Sequence, residues 1–256
     1  MILYFSGTGN SLAIARKIAE AINDQVLPLT EAVQQDLTNE QRIGLVFPTY
    51  NLDAPIAVTQ LIPRIRFPKS AYTFVVITCG AQTNNAVWTV RRLLKQQGVA
   101  VDYCHKIRMP DSALAYGRNP NDQAWKFDKF APRLETIIAD LMAQKKRLHF
   151  AGFDPIGWLM SRPSLQRKLA QMMTPKVNPD KCIGCGICNK VCPQRNIVLS
   201  EIENDKLLAA VGPHCTWCLS CVHFCPQQAF EVNGKAVSKA FQYHHPDIKL
   251  KDLIKR

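Results

Sequence analysis

The chain has 256 residues, of which 47% are hydrophobic and 20% are charged, values typical of a globular protein with room for one large and one small domain. No apolar run reaches the ~20 residues that span a bilayer, and the N-terminus lacks the basic region of a signal peptide, so neither a transmembrane segment nor secretion is expected. The formal net charge is +12, but no RNP or KH signature accompanies it, and we expect no nucleic-acid role.

Residues 1–146 alternate short apolar runs with segments of helical periodicity. The predicted strands are 2–5, 25–29, 43–47, 72–78 and 100–109. The first predicted helix is opened by residues 6–11 and repeats Ile14, Ile18 and Ile22 on one face, and the others are 55–63, 86–97 and 123–145. Five strands with intervening helices predict an α/β fold with a doubly wound parallel sheet.

The loop between the first strand and the first helix reads Ser-Gly-Thr-Gly-Asn-Ser, over residues 6–11. Backbone N–H groups of such a loop can turn inward and hold a phosphate at the helix N-terminus. Ser6, Thr8 and Ser11 add hydroxyl donors, Asn10 adds an amide, and Gly9 leaves the backbone free to turn. The loop has neither G-x-G-x-x-G nor GK[ST], so dinucleotides and nucleoside triphosphates are not expected. An ordinary turn without a ligand is the alternative interpretation.

Eight of the ten cysteines form two runs of the pattern C-x2-C-x2-C-x3-C-P, which is typical of bacterial two-cluster ferredoxins. Three thiolates at this spacing lie along one loop and can bind three corners of a [4Fe–4S] cube. The fourth is expected to open the following helix and to reach the other cube. A zinc site favours two well-separated C-x2-C pairs, and a disulfide framework favours a short secreted chain. The predicted ligands are Cys182, Cys185, Cys188 and Cys225 for cluster I, and Cys215, Cys218, Cys221 and Cys192 for cluster II. Thiolates kept for iron indicate a reducing, cytoplasmic environment.

The loop at residues 6–11 resembles the flavodoxin phosphate loop, [ST]-x-T-G-x-[ST]. Both halves, their order and the tail YHHPDIKLKDL are similar to the EFR-type flavodoxin–ferredoxin fusion proteins. This resemblance implies a flavodoxin-like, doubly wound, five-stranded parallel sheet that binds FMN, followed by a small α+β domain with two [4Fe–4S] clusters. It does not imply a particular substrate.

In the flavodoxin-like order, FMN lies at the switch point of the sheet, between the loops that follow the third and fourth strands. The residues so placed are Pro48, Thr49, Tyr50 and Asn51 in the first loop, and Thr78, Cys79 and Gly80 in the second. Tyr50 is the candidate to stack on the isoalloxazine ring. Since the second loop has no aromatic residue, one face of the flavin is expected to be open or covered by something else.

The expected domains are a flavodoxin-like FMN-binding domain at 1–146, a basic connector at 147–175, a ferredoxin domain at 176–236, and a tail at 237–256 that packs on the body. Lys and Arg outnumber Asp and Glu by 15 to 12 in residues 1–143, by 6 to 1 in residues 144–175 and by 11 to 7 in residues 176–256. Two oxidised clusters of about −2 each cancel the last surplus. The remaining positive charge is therefore concentrated in the connector.

Leu165, Leu169 and Met172 recur at helical spacing, which favours a connector packed against the flavin domain. The alternative is that Arg162, Arg167 and Lys168 form a docking surface for an acidic partner, or a peripheral contact with an anionic membrane.

Three functions remain open from the sequence. The leading hypothesis is an electron-transfer oxidoreductase that passes electrons between FMN and the two clusters, to or from a redox partner protein. The second is a flavin-dependent reductase whose small-molecule substrate binds near Tyr50, Gly80 and Tyr116. The third is a sensor whose interactions depend on cluster state. Cys79 and Cys104 are interpreted as packing residues, and direct use of NAD(P)H is not expected.

Overall fold

The computed structural model describes residues 1–114, 118–148, 155–160, 162–202 and 206–254. Six parallel strands form the main sheet, in the order β2-β1-β3-β4-β5-β6. The strands are β1 (Ile2–Tyr4), β2 (Val26–Pro28), β3 (Arg42–Pro48), β4 (Tyr72–Cys79), β5 (Tyr103–Arg108) and β6 (Arg147–Leu148). The order 2-1-3-4-5 is the flavodoxin-like one, so the predicted fold class is confirmed. The five predicted strands are present, and β6 adds a sixth at the edge beside β5.

Helices cover both faces of this sheet. They are α1 (Asn10–Ala21), α2 (Leu29–Ala32), α3 (Ile56–Leu61), α4 (Ala86–Gln96) and α5 (Trp125–Met142). All eight residues of β4 are buried, as expected of a central parallel strand covered on two sides. Phe74 packs with Ile18 of α1 on one face, whereas Val75 packs with Val90 of α4 on the other.

The cysteine-rich half has its own small core. Its strands are β7 (Lys176–Val177), β8 (Ile197–Ile202), β9 (Lys206–Val211), β10 (Phe230–Val232) and β11 (Lys235–Ala236), and its helices are α8 (Ile187–Val191) and α9 (Ser220–His223). β8 and β9 form an antiparallel hairpin. β10 pairs with β7 and β11.

The predicted place of the fourth cysteine of each run is wrong. Cys192 directly follows α8 and Cys225 lies just beyond α9, so each thiol ends a short helix instead of opening one. Pro193 and Pro226 come next. Proline is common just after a helix because it cannot continue the i→i−4 hydrogen bonding.

The connector forms α6 (Pro155–Met160) and α7 (Pro163–Met172). The buried face of α7 includes Gln166 and Ala170, whereas Met172 is 81% exposed. The predicted apolar stripe is therefore wrong at Met172, and the side chain of Leu169 lies outside the description. Among the described helices, none is both long enough and apolar enough to cross a membrane.

The last described segment returns to the flavodoxin-like half. Ile248 and Leu253, the latter in α10 (Leu250–Ile254), are buried in the core that includes α1 and α5. Arg16 of α1 donates a 3.0 Å hydrogen bond to Asp252. The tail thus contacts the helix that follows the predicted phosphate loop.

Candidate redox site

A cavity opens where β1, β3 and β4 end, which is the edge of a doubly wound sheet that binds ligands. It encloses about 580 Å³ of space free of protein atoms, its open mouth included. Eleven of the twelve predicted flavin residues line it: Ser6, Thr8, Asn10, Ser11, Pro48, Thr49, Tyr50, Asn51, Thr78, Cys79 and Gly80. We call this space the flavin cavity. The sequence prediction that these three loops meet agrees with the geometry.

Gly9, the twelfth residue, shapes the loop from its far side. Its φ is +95°, in the left-handed region that favours glycine. A Cβ there would lie 2.9 Å from Cβ of Ile248. Gly9 therefore lets the phosphate loop turn while the tail packs beneath it.

The hydroxyls of the phosphate loop hold its shape. Ser6 Oγ accepts a 3.1 Å hydrogen bond from the Gly9 N–H, and Ser11 Oγ lies 2.8 Å from Thr78 Oγ1. Thr8 Oγ1 donates to Ser112 Oγ at 3.0 Å. The loop leads into α1, whose first N–H groups have no partner within the helix and carry its positive dipole end. This arrangement suits an anion such as a phosphate.

Both polar atoms of the Asn10 side-chain amide form hydrogen bonds within the protein. Its Nδ2 donates to the Pro110 carbonyl at 3.0 Å, and its Oδ1 accepts from Tyr243 Oη at 2.6 Å. Asn10 therefore joins the phosphate loop to the loop after β5 and to the tail.

Tyr50 is fixed by a tight turn. Its N–H and carbonyl exchange hydrogen bonds with those of Asp53 at 2.9 and 3.0 Å. Asn51 and Leu52, between them, have φ values of +47° and +66°, as both central residues of a type I′ turn do. The Tyr50 ring also packs edge-to-face on Phe5, with 6.3 Å between centroids. The side chain is thus held at the cavity wall.

Two buried polar atoms at the flavin cavity lack a hydrogen-bond partner among the described residues. They are Thr49 Oγ1 and Trp217 Nε1, and both residues line the cavity. Buried polar atoms are normally paired, because leaving them unpaired is costly. A ligand with a phosphate and a polar ring edge fits these donors, the helix N-terminus and the aromatic Tyr50.

Sequence reasoning missed the loop after β5. Met109, Pro110, Asp111, Ser112 and Ala113 also line the cavity. The signal was available, because the carboxyl ends of neighbouring parallel strands meet at one edge of a sheet.

Lys126 was missed too, although it supports two of these loops from behind. Its ammonium donates to the carbonyls of Gly80 and Met109 at 2.8 and 3.2 Å, and to Gln123 Oε1 at 2.7 Å. Burial lowers the pKa of Lys126, and the nearby Asp111 partly opposes that shift. On the other side of Gly80, burial raises the pKa of Cys79 to about 11, so this thiol stays neutral.

The thiols predicted for cluster I surround one cavity. Cys182, Cys185, Cys188 and Cys225 line about 350 Å³ of space, which is otherwise walled mainly by apolar residues such as Ile187. Burial, together with the other three thiols, raises the pKa of Cys188 to about 11. Four such groups can lose their protons together only if a cation compensates their charge.

The thiols predicted for cluster II lie close enough to influence one another. Burial raises the pKa of Cys215 to about 11, with Cys218 and Cys192 adding to the shift. The pKa of Cys221 rises well above its usual value, first through burial, then through Cys218, Cys215 and Cys192 of the same predicted set, and last through Cys188 of the other set. Cys215 and Cys221 thus lie near other thiols predicted for cluster II, and Cys221 also lies near Cys188 of the set predicted for cluster I.

The spacing of these thiols does not suit a single metal ion. No group of three His, Cys, Asp or Glu side chains in the described part of the chain is close enough to hold one ion. A four-iron cube is wider, and backbone groups already face its ligands: the N–H groups of Asn196, Trp217 and Ala229 point at Cys192, Cys215 and Cys225 from 3.4 Å. Hydrogen bonds to ligand sulfurs tune the reduction potential of such clusters.

The two halves meet at the flavin cavity. Cys218 and Trp217 line it together with the phosphate loop. Ser220 Oγ donates a 2.6 Å hydrogen bond to the Gly7 carbonyl, and a Cβ on Gly7 would lie 2.6 Å from the Cys218 carbonyl oxygen. Cluster II, not cluster I, therefore has a predicted ligand at the flavin cavity.

Two buried histidines, which the sequence analysis did not single out, form hydrogen bonds where the two halves meet. His223 Nδ1 accepts from the Tyr243 N–H at 3.0 Å, so the proton lies on Nε2, 2.8 Å from the Ser112 carbonyl. Burial lowers the pKa of His223 to about 4 and keeps the ring neutral. The His245 N–H donates to the Thr8 carbonyl at 2.9 Å. Tail, cluster helix and phosphate loop are thus bonded to one another.

Two solved flavoproteins resemble the chain weakly. The flavodoxin of Fusobacterium nucleatum bound to flavin mononucleotide has a TM-score of 0.39 and 15% identity, over 57% of this chain and 97% of that one. An NADH:FMN oxidoreductase also has a TM-score of 0.39, with 16% identity over 64% of this chain and 97% of that one. Both scores are low, and the strand order, not these likenesses, establishes the fold.

The cysteine-rich half gives a stronger match. Residues 174–226 match the family of the 4Fe-4S dicluster domain. An uncharacterized ferredoxin of Methanocaldococcus jannaschii is 40% identical over 56 residues, which cover 22% of this chain and 73% of that protein. A ferredoxin of Methanothermococcus thermolithotrophicus is 38% identical over 58 residues, 22% of this chain and 92% of that protein. The chain therefore belongs to the ferredoxins, and its two-[4Fe–4S] domain follows a flavodoxin-like α/β half.

Proposed function

We propose that this protein is an electron-transfer oxidoreductase in which FMN, held in the flavin cavity, exchanges electrons with the two clusters on behalf of a redox partner protein. FMN takes up two electrons in all and each [4Fe–4S] cluster passes one, so the two clusters together match one flavin. The observation that carries the proposal is the position of Cys218. This predicted ligand of cluster II lines the same cavity as the phosphate loop.

The residues of the flavodoxin-like half bind and orient the flavin in this proposal. The N-terminus of α1 and the hydroxyl-rich loop hold its phosphate. Tyr50, fixed by its turn and by Phe5, provides an aromatic wall, and the unpaired Thr49 hydroxyl provides a hydrogen-bonding group for the ring. Lys126 keeps the carbonyls of Gly80 and Met109 in place.

The residues of the ferredoxin domain hold the clusters in the two predicted ligand sets. Cys188 and Cys221 are buried, which limits access of water to the thiolates and favours a lower potential. Cys185 is exposed, so electrons can reach cluster I from solvent or from another protein. Within the molecule the order of carriers is then cluster I, cluster II and flavin, in either direction, and a partner docked near Cys215 would exchange electrons with cluster II.

We propose that the redox partner presents an acidic surface. Arg92 and Arg162 line a surface cavity between α3, α4 and α7, and Arg167 lines both this cavity and an adjoining one that includes Cys215. Two of these guanidinium groups lie over indole rings, Arg92 over Trp88 at 5.3 Å and Arg162 over Trp158 at 4.9 Å. We call this pair of adjoining cavities the arginine groove.

The carboxylate of Asp53 also lines the arginine groove, but it accepts hydrogen bonds from the Ala54 N–H and from Thr89. The excess of positive charge in the groove therefore favours a negatively charged partner.

The test uses the full chain, loaded anaerobically with iron, sulfide and FMN. A limiting amount of dithionite is mixed with it in a stopped-flow instrument, and the flavin and cluster absorbances are followed separately. We expect exchange between clusters and flavin at a rate that does not depend on protein concentration. A loaded protein whose flavin and clusters equilibrate only by collision between molecules contradicts the proposal.

Two matched variants locate the path. Cys218→Ser and Cys185→Ser each remove one predicted ligand, at cluster II and cluster I respectively. The first is expected to abolish exchange with the flavin, whereas the second retains exchange between cluster II and the flavin. Equal rates in both variants would exclude cluster II as the neighbour of the flavin.

A further inference from the structure

The flavin cavity has a wall that the flavodoxin-like half does not supply. Its second loop, residues 78–82, contains no aromatic side chain. Among the described residues that line the cavity, the aromatic ones are Tyr50 and Trp217. Trp217 belongs to the ferredoxin domain, between two predicted ligands of cluster II.

The indole of Trp217 is buried but incompletely paired. The residue is 8% exposed, and Nε1 has no hydrogen-bond partner in the part of the chain that the structure describes. A buried tryptophan normally finds an acceptor for its N–H. The missing acceptor points to a ligand in the cavity that Trp217 lines.

The backbone at Trp217 adopts an uncommon conformation. Trp217 has a φ of +55° and Leu219 a φ of +57°, in the left-handed region that non-glycine residues rarely adopt. The Trp217 N–H points at Cys215 Sγ from 3.4 Å. Strain of this kind persists where the surroundings enforce it, and it is common at ligand sites.

The contact between the halves fixes the indole relative to the phosphate loop. Ser220, which is fully buried, donates to the Gly7 carbonyl at 2.6 Å. Cβ of Cys218 would lie 3.2 Å from a Cβ on Gly7. Because Trp217 and Cys218 are adjacent, the wall cannot move away without breaking these contacts.

We propose that Trp217 is a flavin-binding residue: it supplies the second aromatic wall of the cavity and a hydrogen bond from Nε1 to a polar atom of the flavin. The flavin site is then composite and is incomplete without the ferredoxin domain. This inference rests on the proposed function, since it takes FMN as the ligand.

Anaerobic titration of the cluster-loaded, full-length protein with FMN tests the proposal, with quenching of flavin fluorescence giving Kd. Trp217→Leu removes both ring and donor and is expected to raise Kd about tenfold. Trp217→Phe keeps a ring without the N–H and is expected to have an intermediate Kd. Trp88→Leu, in α4 and outside the flavin cavity, serves as the control and should leave Kd unchanged. Iron content and circular dichroism establish that each variant is loaded and folded.

The outcomes separate the two claims. If the wild-type protein binds FMN and Trp217→Leu or Trp217→Phe, fully loaded, binds it with the same Kd and the same quenching, the assignment of Trp217 is wrong and the proposed function stands. If the loaded wild-type protein does not bind FMN, the proposed function fails and the inference falls with it. A raised Kd in Trp217→Phe alone, should Trp217→Leu not fold, supports the hydrogen bond from Nε1.

Discussion

Ser220 donates a 2.6 Å hydrogen bond to the carbonyl of Gly7, and this bond joins residues 213 positions apart in the chain. Gly7 lies in the phosphate loop and Ser220 opens α9, next to the ligands of cluster II. A single buried hydroxyl therefore sets the position of the cluster loop against the loop of the flavin cavity.

Ser220→Ala is expected to destabilise this junction. The substitution leaves the buried Gly7 carbonyl without its hydroxyl donor, which costs about 1–3 kcal/mol. The midpoint of urea unfolding of the loaded protein measures the loss. Ser200→Ala, at an exposed position of β8, is the control and should change stability by less than ~0.5 kcal/mol. Equal losses in the two variants contradict the role given to Ser220.

Gly7→Ala is expected to weaken FMN binding and to slow exchange between flavin and clusters. The added methyl group would lie 2.6 Å from both the Cys218 carbonyl oxygen and Tyr50 Oη, so the cluster loop or the Tyr50 wall must move. Gly234→Ala is the control, because it separates the loss of FMN binding at the Gly7 contact from a general loss of stability through backbone strain. Gly234 has a φ of +73° and no heavy atom within 4 Å of the new Cβ, so the variant loses about 1–2 kcal/mol of stability. Its affinity for FMN should be that of the wild type.

Acid is expected to destabilise the contact between tail and phosphate loop through His245. Burial lowers the pKa of His245 to about 4, an effect that Asp247 opposes and that Lys17 and His244 reinforce. Between pH 6.5 and pH 4 the unfolded chain therefore binds more protons than the folded one, and stability falls as the pH falls.

The His245 contribution is measured as unfolding free energy at pH 7.5 and pH 5.5. The wild type should lose about 1 kcal/mol more than His245→Gln over this interval. His244→Gln removes a neighbouring exposed imidazole that is the smallest cause of the shift, and it should lose nearly as much stability as the wild type. The same pH dependence in His245→Gln and the wild type would show that another group titrates.

Charge reversal in the arginine groove is expected to slow electron transfer to anions. The reduced, loaded protein is oxidised with ferricyanide or with hexaammineruthenium, which carry opposite charges. Arg167→Glu should lower the ferricyanide rate about fivefold at low ionic strength, and the difference should vanish in 1 M salt, where screening is nearly complete. Lys235→Glu, in β11, makes the same change of net charge outside the groove. If both variants lower the ferricyanide rate by the same factor, the arginine groove does not guide the anionic oxidant to the clusters.

The sequence predicts those parts of the fold that local patterns determine. β1, β3, β4 and β5 are short, mostly buried runs between turn residues, and the cysteine spacing alone indicates two clusters. β6 has only two residues and pairs with β5 through tertiary contacts. A strand this short shows no periodicity of apolar residues by which the sequence could predict it. Met172 shows a related limit, because helical spacing does not say which face of α7 the rest of the protein covers.

Some residues of the candidate site can likewise be predicted from the sequence, and others cannot. The three loops from the flavodoxin-like half follow from strand order, since strand ends meet at one edge of the sheet. Trp217 cannot be predicted, because its place at the flavin cavity depends on how the two halves pack. Tyr243 and His245 are hidden for the same reason: their partners, Asn10 and Thr8, are more than two hundred residues away.

The contacts of the tail also determine the order in which parts of the protein can fold during translation. Tyr243 reaches Asn10 across 233 residues of sequence, and Ile248 fills the space beneath Gly9. A nascent chain can thus form β1 to β5 on the ribosome while the underside of its phosphate loop is still bare. The loop acquires its final support only after the cysteine runs have been translated, so the flavin site cannot be complete before residues 243–248 have been made.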